Sequence, residues 1–167
     1  MNKGNSVKVK AIFYLIMCGL LDALSSQILK LPEVVSLELK PGVKLEEEYE
    51  VTKEHLADFL SSGDVAVLST PSMILFMENT SRLLVEGHLE EGYTTVGVRV
   101  DVRHLAPAPL GAKVKVVSVL KEVEGRKLTF EVKAYWGETL IGEGTHERFI
   151  VNKRRFLEKL KRKLSKS

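Results

Sequence analysis

The sequence has few of the features that build cross-linked, fibrous or membrane-spanning proteins. Its one cysteine, Cys18, can form neither an intrachain disulfide nor a cysteine-based metal cluster. Only 12 glycines and 5 prolines among 167 residues exclude a collagen-like or low-complexity chain. The apolar run over residues 11–21 is too short to cross a bilayer as a helix. The hydrophobic content of 44% is instead typical of one globular domain of ordinary size.

Two interpretations fit the N-terminal apolar run, which three lysines precede. It resembles the hydrophobic region of a signal peptide, with a small-residue cleavage site at residues 23–25. Alternatively, it is a short helix that packs on the surface of the domain. We favour the second interpretation and define residues 1–36 as an N-terminal extension of a cytoplasmic protein. A leader over residues 1–25 would imply export, although nothing later in the sequence requires an oxidising compartment.

The C-terminal segment, residues 152–167, is strongly basic. It has eight basic residues and one acidic residue, so the rest of the chain carries −4 of the overall net charge of +3. Phe156, Leu160 and Leu164 recur at steps of four, which predicts a basic amphipathic helix. A helix of this kind usually is solvated and lies on the surface of its domain. The next interpretation is a helix that attracts an anionic nucleotide, followed by one that binds a membrane surface. Nucleic acid is the weakest interpretation because aromatic residues are scarce.

The domain between these segments, residues 37–151, begins with a strand and a short helix. Apolar and charged side chains alternate over residues 43–51, the period of a strand with one solvated face. Thr52 is expected to cap a short helix that ends at Leu60. Thr52 and His55 occupy the positions of a capping box without its acidic member.

A long helix follows, with Thr70 as the expected N-cap, Pro71 as its first residue and Glu86–Gly87 as its end. Five consecutive apolar residues, 73–77, cover every side of this helix. A helix that is apolar all round must be buried all round. We therefore expect a sheet to wrap around it.

Four further segments have strand character and are joined by short connections, which indicates antiparallel pairing. They are residues 94–104, 112–123, 126–136 and 139–151. The order predicts an α+β domain with the long helix packed on one face of an antiparallel sheet. Gly142 and Gly144 lie on one face of the last strand and would leave room for the helix. The free sheet edge and half-covered helix favour a dimer.

Three groups of residues within 37–151 carry a family resemblance. They are LSTP (68–71) leading into ME (77–78), VG (96–97) leading to DVRHLAP (101–107), and GEGTHERF (142–149). In this order they resemble the hotdog-fold thioesterases, and in detail the fluoroacetyl-CoA thioesterase-like branch. The resemblance implies a sheet wrapped around a central helix, a homodimer or dimer of dimers, and hydrolysis of a small or medium acyl-CoA. Coenzyme A would be part of the substrate. Neither a metal nor a further cofactor is expected.

The resemblance also implies roles for four residues. Thr70, Glu78 and His104 match the family's catalytic threonine, glutamate and histidine, and Gly97 matches a glycine whose backbone contacts the bound thioester. Arg103 and Arg126 are further candidates for the nucleotide end of the substrate, or are simply exposed strand residues. We expect no nucleic-acid partner and no stable membrane insertion.

The chemistry of Glu78 can be argued from its position. It follows the all-apolar turn of the long helix, so its carboxylate is expected to be enclosed. It could attack a thioester directly or act as a base on water. The ordinary alternative is an exposed helix pair with Arg82, four residues later.

His104 ends a strand and is expected on the same inward face as Val96, Val98, Val100 and Val102. There it could orient Glu78 or protonate the leaving thiolate, or it could be a satisfied interior histidine. The Thr70 hydroxyl would, as an N-cap, accept from the backbone N–H of Met73.

Spacing constrains how these groups could meet. Thr70 and Glu78 are eight positions apart, about 12 Å along a straight helix. A shared reaction centre requires that Thr70 lie in the loop before the helix or come from a second subunit. We therefore expect the centre at a subunit interface.

Other polar residues are weaker candidates. His146 and Arg148 alternate with Glu147, which argues against a joint metal site. His55 and His88 have the character of surface residues. A non-catalytic acyl-CoA sensor of the same fold is the first alternative function, and a hotdog hydratase or dehydratase is the second.

Overall fold

The computed structural model describes residues 39–165. The strands are β1 (Lys44–Glu50), β2 (Tyr93–His104), β3 (Lys113–Glu124), β4 (Lys127–Trp136) and β5 (Thr139–Asn152). The helices are α1 (Thr70–Glu86) and α2 (Lys153–Leu164), and a 3-10 helix spans Lys53–His55. The predicted extension, residues 1–36, lies outside the described residues. The predicted strands agree with the observed ones to within about a residue at each end.

The five strands form one antiparallel sheet in the order β1-β3-β4-β5-β2. Helix α1 packs against all five strands. This arrangement confirms the predicted α+β hotdog architecture. It leaves β2, a strand of 12 residues, at one edge of the sheet, where its outer hydrogen-bonding groups face no strand formed by residues 39–165.

The core lies between α1 and the inner face of the sheet. Alternate residues of β4, from Leu128 to Ala134, are fully buried, as the alternation in the sequence predicts. They pack with Met73, Phe76 and Met77 of α1. Burial of an apolar side chain of this size contributes about 1.5–3 kcal/mol. The sheet therefore holds the helix that carries two of the candidate catalytic groups.

Helix α1 is not buried all round by residues 39–165, and it is the half-covered helix from which the sequence predicts a dimer. Leu75 is 55% exposed and Ile74 is half-buried. The sheet of one chain covers one side of α1 only, because its strands all lie on that side. The exposed side chain of Leu75 can therefore pack against a further layer of structure.

The predicted short helix from Thr52 to Leu60 is wrong beyond its first turn. The 3-10 helix ends at His55, because the His55 carbonyl accepts from the N–H of Ser69 and the Ala57 N–H donates to Val67. The capping box is nevertheless closed by the imidazole: the backbone N–H of Thr52 donates to His55 Nδ1 at 3.1 Å. His55 is half-buried against Phe76, so the surface interpretation is also wrong.

The two glycines of β5 make room for different neighbours. A Cβ at Gly142 would collide with the Met73 side chain of α1, as expected. A Cβ at Gly144 would instead collide with the Asp101 backbone of β2. Gly144 therefore allows close approach of the edge strand rather than of the helix. None of the helices in residues 39–165 has the length and apolarity needed to cross a bilayer.

Candidate active site

The start of α1 presents the Thr70 hydroxyl to an imidazole. Ser69, not Thr70, is the N-cap, and its hydroxyl oxygen accepts from the N–H of Ser72 at 3.1 Å. This corrects the predicted cap by one residue. Because the cap is supplied by Ser69, the Thr70 hydroxyl is free to form a hydrogen bond of 2.9 Å with Nδ1 of His104. Thr70 and His104 are therefore brought together within one chain.

A β-bulge in β2 determines which of its residues face α1. The register shifts between Gly97 and Arg99, so that Val98 has no partner in β5. Before the bulge Gly97 lies opposite Arg148, and after it His104 lies opposite Gly142. Directly paired residues of an antiparallel ladder share a face, so Gly97 and His104 both face the helix although they are seven positions apart.

The bulge also corrects the expected row of inward valines. Val96 pairs with Phe149 on the outer face, and Val98 is 57% exposed at the bulge. Val100 and Val102 share the face of His104, but Val100 is still partly exposed because β2 is an edge strand. The expectation of one shared inward face is therefore wrong for Val96 and Val98.

His104 lies in a partly dry environment that favours its neutral form. Burial lowers the pKa of His104, and the backbone of Ala106 offsets part of this effect. Among the described residues, its Nε2 atom is buried and has no hydrogen-bond partner. A neutral imidazole of this kind can take the hydroxyl proton of Thr70 at Nδ1, or hold that hydroxyl toward a reacting atom.

Glu78 lies two turns further along α1, against Gly97. A Cβ at Gly97 would lie 2.6 Å from Glu78 Oε1, so only glycine leaves the carboxylate in this position. The side chain of Glu78 is 36% exposed, less enclosed than its sequence context predicts. It is not paired with Arg82, which instead forms a 2.8 Å ion pair with Glu86. The ordinary helix-surface interpretation of Glu78 is therefore wrong.

Two residues given little weight in the sequence, His146 and Arg148, build the wall behind Glu78. Both are almost fully buried on β5. Arg148 donates to Thr95 Oγ1 at 2.8 Å, to the Thr95 carbonyl at 3.0 Å and to the Glu78 carbonyl at 3.4 Å. It also lies 3.0 Å from His146 Nε2. This network fixes the turn of α1 that carries Glu78 to β2 and β5.

The partners of His146 identify its protonation state. Burial, with a smaller effect of the Arg148 charge, lowers the pKa of His146. A neutral ring donates from Nδ1 to the Arg99 carbonyl at 2.9 Å and accepts from Arg148 at Nε2. The 3.6 Å approach of Nε2 to Glu78 Oε1 is thus not an ion pair. Glu78 faces a neutral ring, and the buried guanidinium of Arg148 contacts that ring.

The alternation of β5 in the sequence indicates that His146 and Arg148 face α1. Residues 146 and 148 have the same parity as Ile150, which is fully buried, so both had to face the helix. Burial of polar side chains at consecutive inward positions costs free energy unless they form hydrogen bonds. Two such positions in one strand therefore indicate a functional site. Within residues 39–165 no group of three potential ligands could hold a metal ion, His146 and its neighbours included.

Arg103 and Arg126 belong neither to the Thr70–His104 cluster nor to the Glu78–Gly97 cluster. Arg103 precedes His104 but points to the outer face of the sheet, where it pairs with Glu143. Arg126 is exposed in the turn between β3 and β4, and its carbonyl accepts from the N–H of Ile150. Both positions correspond to the exposed-residue interpretation, and a role in nucleotide binding stays a prediction.

Thr70 and Glu78 both lie within α1, which separates the two clusters by about 12 Å along the helix. Thr70 therefore belongs to the helix and not to the preceding loop. A centre shared by both residues then requires a second copy of the chain, which stays a prediction.

Comparison with known proteins relates the chain to the thioesterases. Residues 51–154 match the family model described as fluoroacetyl-CoA-specific thioesterase. The fluoroacetyl-CoA thioesterase of Streptantibioticus cattleyicolor is 36% identical over 97 residues, which are 58% of this chain and 70% of that protein. A crystal structure of a variant of the fluoroacetyl-CoA-specific thioesterase FlK with fluoroacetate and CoA is 29% identical, with a TM-score of 0.68 over 71% of this chain and 99% of that one.

A third relative comes from Thermus thermophilus. It is described as a hypothetical protein and a member of the thioesterase superfamily. It is 34% identical, with a TM-score of 0.70 over 78% of this chain and 96% of that one. The matched residues of the family model begin just after β1, include β2 to β5, α1 and both candidate clusters, and end at the second residue of α2.

Proposed function

Because the chain belongs to the fluoroacetyl-CoA-specific thioesterase family, it is a thioester hydrolase, and we propose that it hydrolyses small or medium acyl-CoA thioesters at a site shared by two copies of the chain. The observation that carries the proposal is the division of the polar groups. Thr70 and His104 form one cluster, Glu78 and Gly97 form the other, and a single helix holds them apart.

The free edge of β2 supports pairing of two copies. Long exposed edge strands favour association with another strand, and this one presents Val98 and Val100 beside backbone groups that no strand of the described part of the chain pairs. In antiparallel pairing about a two-fold axis at Asp101, with the bulge at residues 98–99 opposite Arg103, Gly97 of one copy lies opposite His104 of the other. This register brings the Glu78 cluster of one copy to the Thr70 cluster of the second.

Each group then has a chemical role in thioester hydrolysis. Glu78 supplies the attacking oxygen, either its own or that of a water that it deprotonates, and the thioester carbonyl becomes an oxyanion. The Thr70 hydroxyl, held by His104, and backbone N–H groups near Gly97 donate to that oxyanion. The carbon–sulfur bond breaks, and CoA leaves as a thiolate that takes a proton. Where water attacks, the acyl group leaves directly as a carboxylic acid. Where Glu78 attacks, the acyl group stays on its carboxylate as an anhydride, and water then hydrolyses this anhydride to the carboxylic acid and free Glu78.

These steps use side chains and backbone groups of the chain together with water, so the proposal includes no metal or further cofactor. We place the reaction in the cytoplasm, where CoA thioesters are formed and used. Arg103 and Arg126 stay candidates for the nucleotide end of CoA, since an exposed guanidinium can pair with phosphate.

A thiol-release assay with a panel of acyl-CoA substrates tests the proposal. We expect turnover by the wild type and a loss of about 10²–10⁴-fold in Glu78→Gln, which keeps the shape of the side chain but not its basicity. Glu86→Gln is the matched control, because this glutamate lies on the same helix but pairs with Arg82 on the surface. Tight binding of acyl-CoA without turnover across the panel would contradict the proposal and indicate a sensor.

A further inference from the structure

Helix α2 extends the chain beyond the sheet and is not needed to complete its core. No residue of Lys153–Leu164 is buried. The helix starts at the Asn152 cap, whose side-chain oxygen accepts from the N–H of Arg155 at 3.1 Å. It is anchored by the last residue of β5 and by the bond from the Lys153 N–H to the Gly92 carbonyl. The rest of the helix presents its side chains outward.

The exposed side chains of α2 are sorted by chemistry. At 100° per residue, four apolar residues fall within an arc of about 100°. They are Phe156, Leu157, Leu160 and Leu164, which are between 46% and 70% exposed. Arg154 and Lys161 border this arc on one side and Lys159 and Lys163 on the other, and Lys153 falls within it at the start of the helix. We call these four apolar residues and their basic borders the α2 face.

Charge limits what can cover the α2 face. The helix has seven basic residues and one acidic residue, a net charge of +6. A second copy of the same helix would be repelled by this charge. The first 38 residues of the chain have four lysines and three acidic residues, so they offer no charge complement either. A free nucleotide would satisfy the cations but not an apolar arc.

A phospholipid surface satisfies both features together. Exposed apolar side chains of a short amphipathic helix enter the boundary between headgroups and acyl chains, while Lys and Arg at its borders extend to anionic headgroups. We propose that the α2 face binds the surface of anionic membranes, and that it places the hydrolase there without crossing the bilayer. In a dimer two such helices act together, and this raises the avidity beyond that of one helix.

Vesicle co-sedimentation of the full-length chain tests this proposal. Vesicles of phosphatidylcholine mixed with phosphatidylglycerol are expected to retain the protein at low salt, and vesicles of phosphatidylcholine alone are not. High salt should release the protein, because screening weakens attraction between exposed charges. Equal binding to both vesicle types, or no binding to either, would overturn the proposal.

Variants of the α2 face separate its apolar and basic contributions. We expect Phe156→Ser with Leu160→Ser to weaken vesicle binding by about tenfold or more. Lys159→Gln and Lys161→Gln should each weaken it by about fivefold. The control Leu110→Ser removes an apolar residue of similar exposure, 51%, from the loop between β2 and β3, and should bind like the wild type.

Three further measurements keep the outcomes distinct. Hydrolysis of acyl-CoA in the absence of vesicles should be the same in the Phe156/Leu160 double variant and the wild type, so a defect there would overturn the proposal in favour of a substrate-binding tail. Loss of oligomer in that variant would overturn it in favour of a protein contact. Salt-sensitive binding of a nucleic-acid duplex, together with no retention on anionic vesicles, would assign the basic residues to nucleic acid.

Discussion

The side chains of Thr70 and His104 lie 2.9 Å apart, although 34 positions separate them in the sequence. One begins the central helix and the other ends the edge strand of the sheet. The contact thus joins the central helix to one edge of the sheet. It also shows that Thr70 acts through its hydroxyl toward a tertiary neighbour, and not as a helix cap.

Removal of the Thr70 hydroxyl is expected to damage catalysis but not folding. Thr70→Ala removes the partner of His104 and a donor to the oxyanion, and losses of about 10²–10³ in kcat are typical for such a donor. The cap at Ser69 is unaffected, so the thermal unfolding temperature should hardly change. Thr70→Ser keeps the hydroxyl and should recover most of the activity in the thiol-release assay. Equal losses in both variants would contradict this role.

Mixed dimers test whether two copies build one site. Neither Thr70→Ala nor Glu78→Ala homodimers should turn over acyl-CoA efficiently. A dimer with one copy of each variant should regain about one working site, since one of its two centres then has both residues. The measurement is thiol release after co-expression with two different affinity tags and sequential purification. Failure to complement would place each site within a single chain.

Gly97→Ala should move the Glu78 carboxylate without unfolding the protein. The added Cβ would lie 2.6 Å from Oε1, so the carboxylate must shift. A displacement on the order of 1 Å can cost about a hundredfold in rate. Gly87→Ala is the control, because a Cβ there meets nothing within 4 Å. If kcat/KM is the same in the Gly97 variant and the control, the position of Glu78 does not limit the reaction.

Replacement of Arg148 should reduce stability as well as activity. Arg148→Leu leaves the Thr95 carbonyl and His146 Nε2 without their donor, and each buried unsatisfied group costs about 1–3 kcal/mol. Arg99→Gln is the exposed control, since its surface ion pairs contribute about 1 kcal/mol or less. Urea unfolding of both variants measures the difference. An Arg148 variant as stable as the control would mean that the buried network does not hold the helix.

The pH dependence of hydrolysis should reflect the neutral form of His104. Burial lowers the pKa of His104 below its usual value of about 6.5. The imidazole is therefore neutral at pH values where a free imidazole is already partly protonated, and it becomes protonated only as the pH falls through the lowered value. We expect kcat/KM to be maintained down to about pH 6.5 and to decline only below it. An acid limb centred above pH 6.5 would contradict a desolvated His104 as the controlling group.

The fold was predictable because its elements follow simple periods. The strands and α1 were visible as alternation and as an apolar helical run bounded by a cap and a glycine. The positions of Thr70, Glu78, Gly97 and His104 followed from the family resemblance, and the structure places them in two clusters. Their chemical roles are the subject of the proposal and its tests.

The details of the site depend on choices that local sequence does not determine. Ser69 and Thr70 are both good N-caps, and the choice between them is made by His104, which engages the second hydroxyl. The bulge at Val98 directly follows Gly97, and an isolated glycine in a strand is a weak signal of a bulge that the alternating valines obscure. Strict alternation therefore assigned Val96 and Val98 to the wrong face.

The bulge also sets which changes of length the enzyme can tolerate during evolution. Between Gly97 and His104, gain or loss of a single residue would rotate one of the two to the solvent side and separate the halves of the site. The turn at residues 137–138 has no such coupling and can lengthen freely. We expect related sequences to vary in length at that turn and to keep a constant interval of seven between the glycine and the histidine.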